Sequence, residues 1–448
     1  MTYRILLVFT LFLSSMVMSQ EASQNFSLQE AIDFALENNR QVKNATLDIE
    51  AAKKQKWETT ATGLPQINAS IDYQNFLKQQ VSLIPAEFFG GNPGEFAEVT
   101  FGTKQSASAF ATVTQKIFDG SYLVGLQSAK VYLEISENAK EKTDLEVRKA
   151  VINAYGNVLL AEESVDILQR NIAVIRKNVE ETTKVYENGM AEEESVEQLQ
   201  ITLSLLESSL SNTERLKTLA YQMFNITIGL DLTANTELTD SLETLTIQNM
   251  DLKLLDAEEN IENTIDFKIA ENDKVSKELL LKLAKSRALP TVDAFINGGY
   301  SGYNESFKFL NKDQDWFGSS LFGVSMNIPI FSSLERSAAI QRAQINLEKA
   351  ETDLELVEQQ LSFEITTAKS NYQYAIEEYQ NKKQNLNLAE RIEQKNQTKF
   401  FEGIGSSFDL RQAQTQLYTA QREYLESMFN VISTKAELET VLNTVQLN

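Results

Sequence analysis

The chain has neither cysteine nor histidine among its 448 residues. Disulfides, thiolate and imidazole metal sites, cysteine nucleophiles and Ser-His-Asp triads are therefore excluded. Catalysis by carboxylates alone survives, but no glycine-rich phosphate loop accompanies it. An enzyme is disfavoured, and no cofactor or metal is expected. Proline is scarce at 5 residues, and the 17 glycines gather in a few places. Long uninterrupted elements with short breaks between them, and hence a helix-rich chain, are the expectation. Positive charge is in deficit, with 41 Lys and Arg against 63 Asp and Glu and a formal net charge of −22. Phosphate binding depends on Lys and Arg, so nucleic acid is an unsuitable partner. Cations and protein surfaces suit the charge better.

Only one long apolar run is present. Arg4 provides a short positive region, Ile5 to Met18 are apolar apart from Thr10, Ser14 and Ser15, and Val17-Met18-Ser19 offers a cleavage site. Residues 1–19 read as a signal peptide for export. A transmembrane anchor is the alternative, although the run is shorter than the ~20 apolar residues a span requires. Without cysteine, lipoprotein acylation is not expected. If the rest of the chain enters a membrane it must do so as a β-barrel, the other structure that satisfies every backbone polar group in lipid.

An internal repeat organises the remainder. Ala61-Thr62-Gly63-Leu64-Pro65-Gln66-Ile67-Asn68-Ala69 matches Ser286-Arg287-Ala288-Leu289-Pro290-Thr291-Val292-Asp293-Ala294, each with helical spacing before the proline and strand alternation after it. Lys116-Ile117-Phe118-Asp119-Gly120 matches Pro329-Ile330-Phe331-Ser332-Ser333, and Lys184-Val185-Tyr186-Glu187-Asn188-Gly189-Met190 matches Thr398-Lys399-Phe400-Phe401-Glu402-Gly403-Ile404. The first repeat is expected over 20–228, with a helix, strands at about 65–78 and 105–118, a long helix at about 121–187 and a helix at about 192–228. A connection spans 229–256. The second repeat covers 257–448, with a helix, strands at about 290–303 and 317–330, a long helix at about 333–401 and a helix at about 406–443.

Leu347, Ala350, Leu354, Val357, Leu361 and Ile365 recur at three- and four-residue intervals, a narrow seam of the kind a coiled coil buries. Unbroken at ~1.5 Å per residue, the helix at 121–187 would be about 100 Å long, some three times the ~30 Å bilayer core. Ser27 and Glu30 form a capping box ahead of the Leu28, Ile32, Ala35 stripe, predicting a first helix from there. Ile67, Ala69, Ile71 and Tyr73 alternate with polar residues, as do Phe322, Val324, Met326 and Ile328 with smaller or polar ones. Segments Val81 to Thr100 and Asn304 to Asp315 read as exposed loops. Four strands cannot close a membrane barrel, which begins at eight, so strands in lipid would require several copies. Two ordinary hairpins on a soluble core remain the plainer alternative.

The double repeat, the opening Ser27-Leu28-Gln29-Glu30-Ala31-Ile32-Asp33-Phe34-Ala35-Leu36-Glu37-Asn38-Asn39, the two Leu-Pro strand entries and Phe401-Glu402-Gly403-Ile404-Gly405-Ser406-Ser407-Phe408-Asp409-Leu410 together resemble the TolC outer-membrane efflux family. Arg40 departs from the proline often found there, and Thr264-Ile265-Asp266-Phe267 lacks the usual Arg-Pro-Asp. The resemblance implies a mainly α fold with a β-barrel part. Three copies would each give four strands to one 12-stranded barrel, continuous with a periplasmic helical tunnel, and loops 78–104 and 304–316 would lie outside the cell. It implies an outer-membrane exit duct of a tripartite efflux or type I secretion system, working with a periplasmic adaptor and an inner-membrane transporter. A periplasmic structural or adaptor coiled coil is the alternative.

By register from Gly403, the resemblance places the pore aperture at Asp409 and Gln412. Asp409 is equally suited to a plain role in a helix first turn. Glu187, Glu192, Glu193 and Glu194 form an acidic tip, either an entrance ring or a solvated face. Tyr186, Gly189, Phe400 and Gly403 are the expected adaptor contacts, with both glycines as left-handed helix ends.

Overall fold

The computed structural model describes residues 24–257 and 260–444; the expected signal peptide lies outside them. The chain forms two compact units, and the long helices belong partly to each. One unit comprises Glu50–Ile135 and Asn272–Thr352 and carries the main sheet. The other gathers the residues up to Ile49, Ser136–Glu271 and those from Asp353 onward, and is mostly helical. Each unit thus draws on both sequence repeats.

In the helical unit, β1 (Gln24–Phe26) leads into α1 (Leu28–Asn38). Ser27 and Glu30 form the reciprocal cap: the Ser27 N–H donates to Glu30 Oε2 at 2.8 Å and the Glu30 N–H to Ser27 Oγ at 3.4 Å. The Ser27 N–H and the Ser27 hydroxyl, which also donates to Glu30 Oε2 at 2.8 Å, hold the Glu30 carboxyl below its ordinary pKa. The expected single first helix is broken at Asn39, and α2 (Arg40–Ala61) begins beyond it. Asn39 adopts an extended conformation, accepts the Gln41 N–H at 2.7 Å and donates to the Thr227 carbonyl at 2.7 Å. It therefore caps α2, with Arg40 at the first helical position, where proline is also well suited.

The sheet-bearing unit contains β2 (Gln66–Asn75), β3 (Val81–Pro85), β4 (Phe96–Thr100) and β5 (Gln105–Asp119), then the start of α3 (Gly120–Glu187). The segment expected to be a plain loop at Val81 to Thr100 is a small hairpin, β3 pairing antiparallel with β4. Alternation of Val81, Leu83 and Phe96, Glu98 gives it strand periodicity, and a turn with Gly90 at φ 83° joins the two. After α4 (Glu193–Ile228), β6 (Thr236–Leu238), α5 (Leu242–Gln248) and α6 (Ile265–Ser286), the second pair comprises β7 (Thr291–Asn304) and β8 (Trp316–Asn327). The final helices are α7 (Glu335–Phe401) and α8 (Ser407–Leu442).

The main sheet runs β2-β5-β7-β8, antiparallel throughout. Fourth-strand pairing stops at Asn327, short of the expected 330, and the helix waits until Glu335 instead of 333. Pro329 lacks the N–H that would continue the ladder, and Ser333 and Leu334 have positive φ. In the first repeat Asp119 instead accepts the Ser121 N–H at 2.9 Å, so α3 starts directly after β5.

The helical unit packs around Phe224, Tyr155, Ile228, Ile365 and Tyr372, all fully buried. Each long helix contributes one tyrosine that ties down a connecting segment. The Tyr155 hydroxyl lies 2.9 Å from both the Phe26 carbonyl and Asp240 Oδ2. The Tyr372 hydroxyl donates to the Asn249 carbonyl at 2.6 Å and accepts the Asp251 N–H at 2.8 Å. Burial, reinforced by the Asp240 carboxylate, raises the Tyr155 pKa and keeps the phenol protonated as a donor.

Candidate functional site: a two-faced sheet and two helical tips

Paired residues of neighbouring strands share a face, so the register sorts the sheet's side chains. One row crosses all four strands as Ile67, Val113, Ile296 and Phe322. A parallel row on the same face contains Ile71, Ala109 and Tyr300. The opposite face carries the row Asn68, Thr112, Asn297 and Leu321, and Asn297 Nδ2 donates to Thr112 Oγ1 at 2.6 Å. The apolar face is uncovered: Ile71 is 86% and Phe322 70% exposed. At one end of the strands Tyr73, Phe307, Phe309 and Trp316 form an aromatic cluster with ring centroids 5.5–6.3 Å apart. Gly299 sits where a Cβ would lie 2.2 Å from the Ala109 carbonyl oxygen, so the β5–β7 approach requires glycine. Among the described residues β2 and β8 are the sheet's terminal strands, each with an open edge. No described helix is long and apolar enough to cross a membrane.

The two tips have the same turn. At the first, Gly189 has φ 75° and the Met190 N–H reaches back to the Val185 carbonyl at 3.0 Å. At the second, Gly403 has φ 77° and the Ile404 N–H reaches the Lys399 carbonyl at 3.0 Å. Both are left-handed helix ends that satisfy an orphan carbonyl. Tyr186 is exposed, and the Phe400 ring packs edge-on against Phe401 at 5.4 Å.

The helix starts beyond the turns differ. Glu192 occupies the N-cap of α4 without a side-chain cap, with Glu193 and Glu194 in the first turn. These three and Glu187 are all exposed. Ser406 caps α8, accepting the Asp409 N–H at 3.1 Å and donating its hydroxyl to Asp409 Oδ2 at 2.7 Å. Asp409 is thereby fixed in the first turn, where the helix dipole also favours it. Gln412 is one turn further on and, like Asp409, exposed. It lines a groove between α7 and α8 with Leu388, Ile392 and Phe408.

Sequence spacing did not reveal the buried polar layer just above the tips. Gln414 is 1% exposed, and its Oε1 meets no hydrogen-bond partner. Nearby, burial raises the Glu393 pKa while the Gln414 amide pulls it down. Asn178 of α3, also buried, accepts from Gln397 of α7 at 3.3 Å. The available signal was the amide of Gln414 beside the apolar seam residues Leu410, Ala413 and Leu417.

Comparison with known proteins places these features in a family. The profile described as outer membrane efflux protein matches residues 31–224 and 261–444. The outer membrane protein TolC of Vibrio cholerae serotype O1 is 22% identical over 432 residues, covering 94% of this chain and 91% of the relative. The TolC of Escherichia coli is 20% identical over 430 residues, covering 94% of this chain and 83% of that one. Among solved structures, a membrane protein from Pseudomonas aeruginosa superposes with a TM-score of 0.74 at 18% identity, covering 93% of each chain. The open-state MtrE outer membrane channel of Neisseria gonorrhoeae gives 0.71 at 18% identity, covering 93% of this chain and 88% of that one. With both repeats matched by the profile, the chain belongs to the outer membrane efflux protein family, whose members are TolC-like channels.

Proposed function

We propose that three copies of the chain form the exit duct of a tripartite efflux or type I secretion system, receiving substrate from a periplasmic adaptor and an inner-membrane transporter. The observation that carries this reading is the sheet of four strands with one apolar exposed face, an opposite face where polar residues alternate with a few aromatics, and two open edges. Open edges and bare apolar surface are liabilities in water, and closing the sheet onto further copies in lipid removes both. Three copies give the 12 strands of an ordinary barrel with a polar bore. The aromatic cluster at the strand ends suits the interfacial girdle of such a barrel.

The tips form the periplasmic end of the duct. Three Asp409 carboxylates line the aperture, and their convergence favours cations. Gln412, one turn on, replaces a second acidic ring with an amide. Glu187, Glu192, Glu193 and Glu194 add negative charge at the entrance, and Tyr186, Gly189, Phe400 and Gly403 meet the adaptor. The carriage itself involves geometry and field, without bond chemistry.

The test is the native mass of the detergent-purified protein together with its conductance in planar bilayers. A trimer conducting with cation preference, reduced in Asp409→Ala, is the expected result. A monodisperse, detergent-free monomer with full folded content would overturn the duct. Unchanged selectivity and cation block in Asp409→Ala would remove Asp409 from the aperture.

A further inference from the structure

Two arginines of the sheet-bearing unit, Arg287 at the end of α6 and Arg342 in the first turns of α7, are left without a partner. Several others are tied down. Arg148 ion-pairs with Glu439 at 2.8 Å, Arg176 pairs with Glu207 at 2.8 Å, and Arg336 donates to the Pro329 carbonyl at 2.8 Å. Arg287 and Arg342 meet neither an acid nor a hydrogen-bond acceptor among the described residues. Both line one groove of about 190 Å³ between α6 and α7, together with Lys277, Leu280, Leu283 and Ala339. Lys277 is already held by Asp273 at 2.9 Å, and among the described residues that line the groove none is acidic.

The hand of the sheet shows which side of the wall the groove opens on. The Phe76 N–H donates to the Lys104 carbonyl at 2.9 Å, extending the β2–β5 ladder by one pair. Even-numbered residues of β2, Asn68 included, therefore turn their N–H groups toward β5. For L-residues, β5 then lies to the right of β2 when the Asn68 face is viewed with β2 running upward, and β7 and β8 follow further right. On that view α6 rises into β7 with α3 to its left, where the Ser286 and Ser121 hydroxyls are 3.3 Å apart. The Arg287 N–H still reaches the Leu283 carbonyl at 3.3 Å, so the helical winding continues. A right-handed step of about 100° carries Arg287 from the α3 side round to the viewer. The groove thus opens on the side of Asn68, Thr112 and Asn297.

From this we infer that the groove is a station for amphiphilic organic anions in transit through the bore. The Arg287 and Arg342 guanidinium groups hold a carboxylate or sulfonate, and Leu280, Leu283 and Ala339 receive the apolar part. The inference rests on the duct reading above, in which the Asn68 face lines the bore, and names one chemical class that the duct carries. Guanidinium forks match the oxygens of such anions and form charge-assisted hydrogen bonds to them. A chain of formal net charge −22 repels anions over most of its surface, so an uncompensated guanidinium pair is where one would be held. Leu280 is 53% exposed in the same groove, and a bare inorganic ion would leave that surface in water. An anion with an apolar body covers it, and that decides the class. Arg287 lies four residues ahead of Thr291, so three copies set their grooves at one level beside the strand entries.

The test uses the full-length protein in planar bilayers, with 2-naphthalenesulfonate as the probe. On the unaltered channel the sulfonate is expected to reduce the current reversibly, at about tenfold lower concentration than sulfate, which lacks the ring, or 2-naphthalenemethanol, which lacks the charge. Replacing both arginines, Arg287→Gln with Arg342→Gln, should raise the half-blocking concentration about tenfold. Lys282 and Lys285 of α6 are exposed outside the groove, and Lys282→Gln with Lys285→Gln removes the same charge and should leave the block unchanged. The probe comparison needs no substitution, so it decides even where the arginine variant fails to assemble. A sulfonate block matched by either control compound, one that survives loss of both arginines, or one weakened equally by the lysine pair would overturn the station. So would an open channel that the sulfonate does not block, and that outcome leaves the duct standing. A protein that stays monomeric and forms no channel removes both.

Discussion

The middle of the helical unit and its tips are built from the same two hairpins, yet they are stabilised in different ways. In the middle, Phe224 is completely buried between the rings of Phe26 and Tyr155, with centroids 6.3 and 5.8 Å away. There specific contacts fix the connecting segments, as with Tyr155 at Asp240 and Asn39 at Thr227. The layer above the tips instead contains Gln414, Asn178 and Thr182, buried polar groups of which each has at least one unpartnered atom. Unsatisfied polar atoms cost free energy that apolar packing would not. The tip turns at Gly189 and Gly403 have no neighbouring atom within 4 Å of a Cβ position, and the tips are expected to open at lower cost than the middle.

Breaking the middle should have the largest effect. Phe224→Ala removes a ring from a closed aromatic cluster and is expected to destabilise the unit by about 3–5 kcal/mol. Denaturant unfolding followed by helix content would show the midpoint falling. A shift of a few tenths of a kcal/mol would mean that the middle is as plastic as the tips.

Glycine sharpens the comparison because both regions use it at positive φ. Gly229, at φ 95°, ends α4 where a Cβ would lie 2.5 Å from the Asn38 carbonyl oxygen. Gly403, at φ 77°, has no neighbouring atom within 4 Å of that position. Gly229→Ala combines left-handed strain with a backbone clash and is expected to cost about 2–4 kcal/mol. Gly403→Ala meets only the strain, about 1–2 kcal/mol, and spends it locally at a fraying end. Thermal midpoints of the two variants measure the difference. Equal losses would contradict the view that the tip turn stands free.

The same contrast shows what was legible in the sequence. The long helices and the first and fourth strands followed from spacing because each has one dominant period, the middle two strands were less regular, and the tip glycines were marked by the repeated Asn188-Gly189 and Glu402-Gly403 breaks. The Asn39 kink was not evident, because it depends on Thr227, 188 residues away in sequence. The hairpin at Val81–Thr100 was hidden by a short alternation among glycines. Arg287 and Arg342 could be assigned to one groove only after the fold had set α6 beside α7. For Asp409, the sequence suggested both a pore position and a first-turn position. The Ser406 cap fixes the latter, and an exposed carboxylate there remains available to the former.

The smallest effect concerns how the tip layer responds to proton concentration. Glu393 is partly buried, and burial raises its pKa, with Gln414 opposing. Tyr418 of α8 is the titratable neighbour that the Glu393 charge reaches. A carboxyl whose folded pKa exceeds its unfolded value stabilises the packed state below the unfolded pKa and loses that contribution as pH rises through the folded one. The tips should therefore be tightest in mild acid and loosen as pH rises above the ordinary carboxylate range. Hydrogen exchange, with intrinsic rates corrected for pH, would report this as falling protection in the segments around Glu393 and Gln414, while the Phe224 region stays unchanged. Glu393→Gln keeps the shape and removes the titration, so its tips should hold one level of protection throughout. A pH response that survives in Glu393→Gln would show that another group drives it, and one shared equally by the Phe224 region would mean that the two regions open as a single unit.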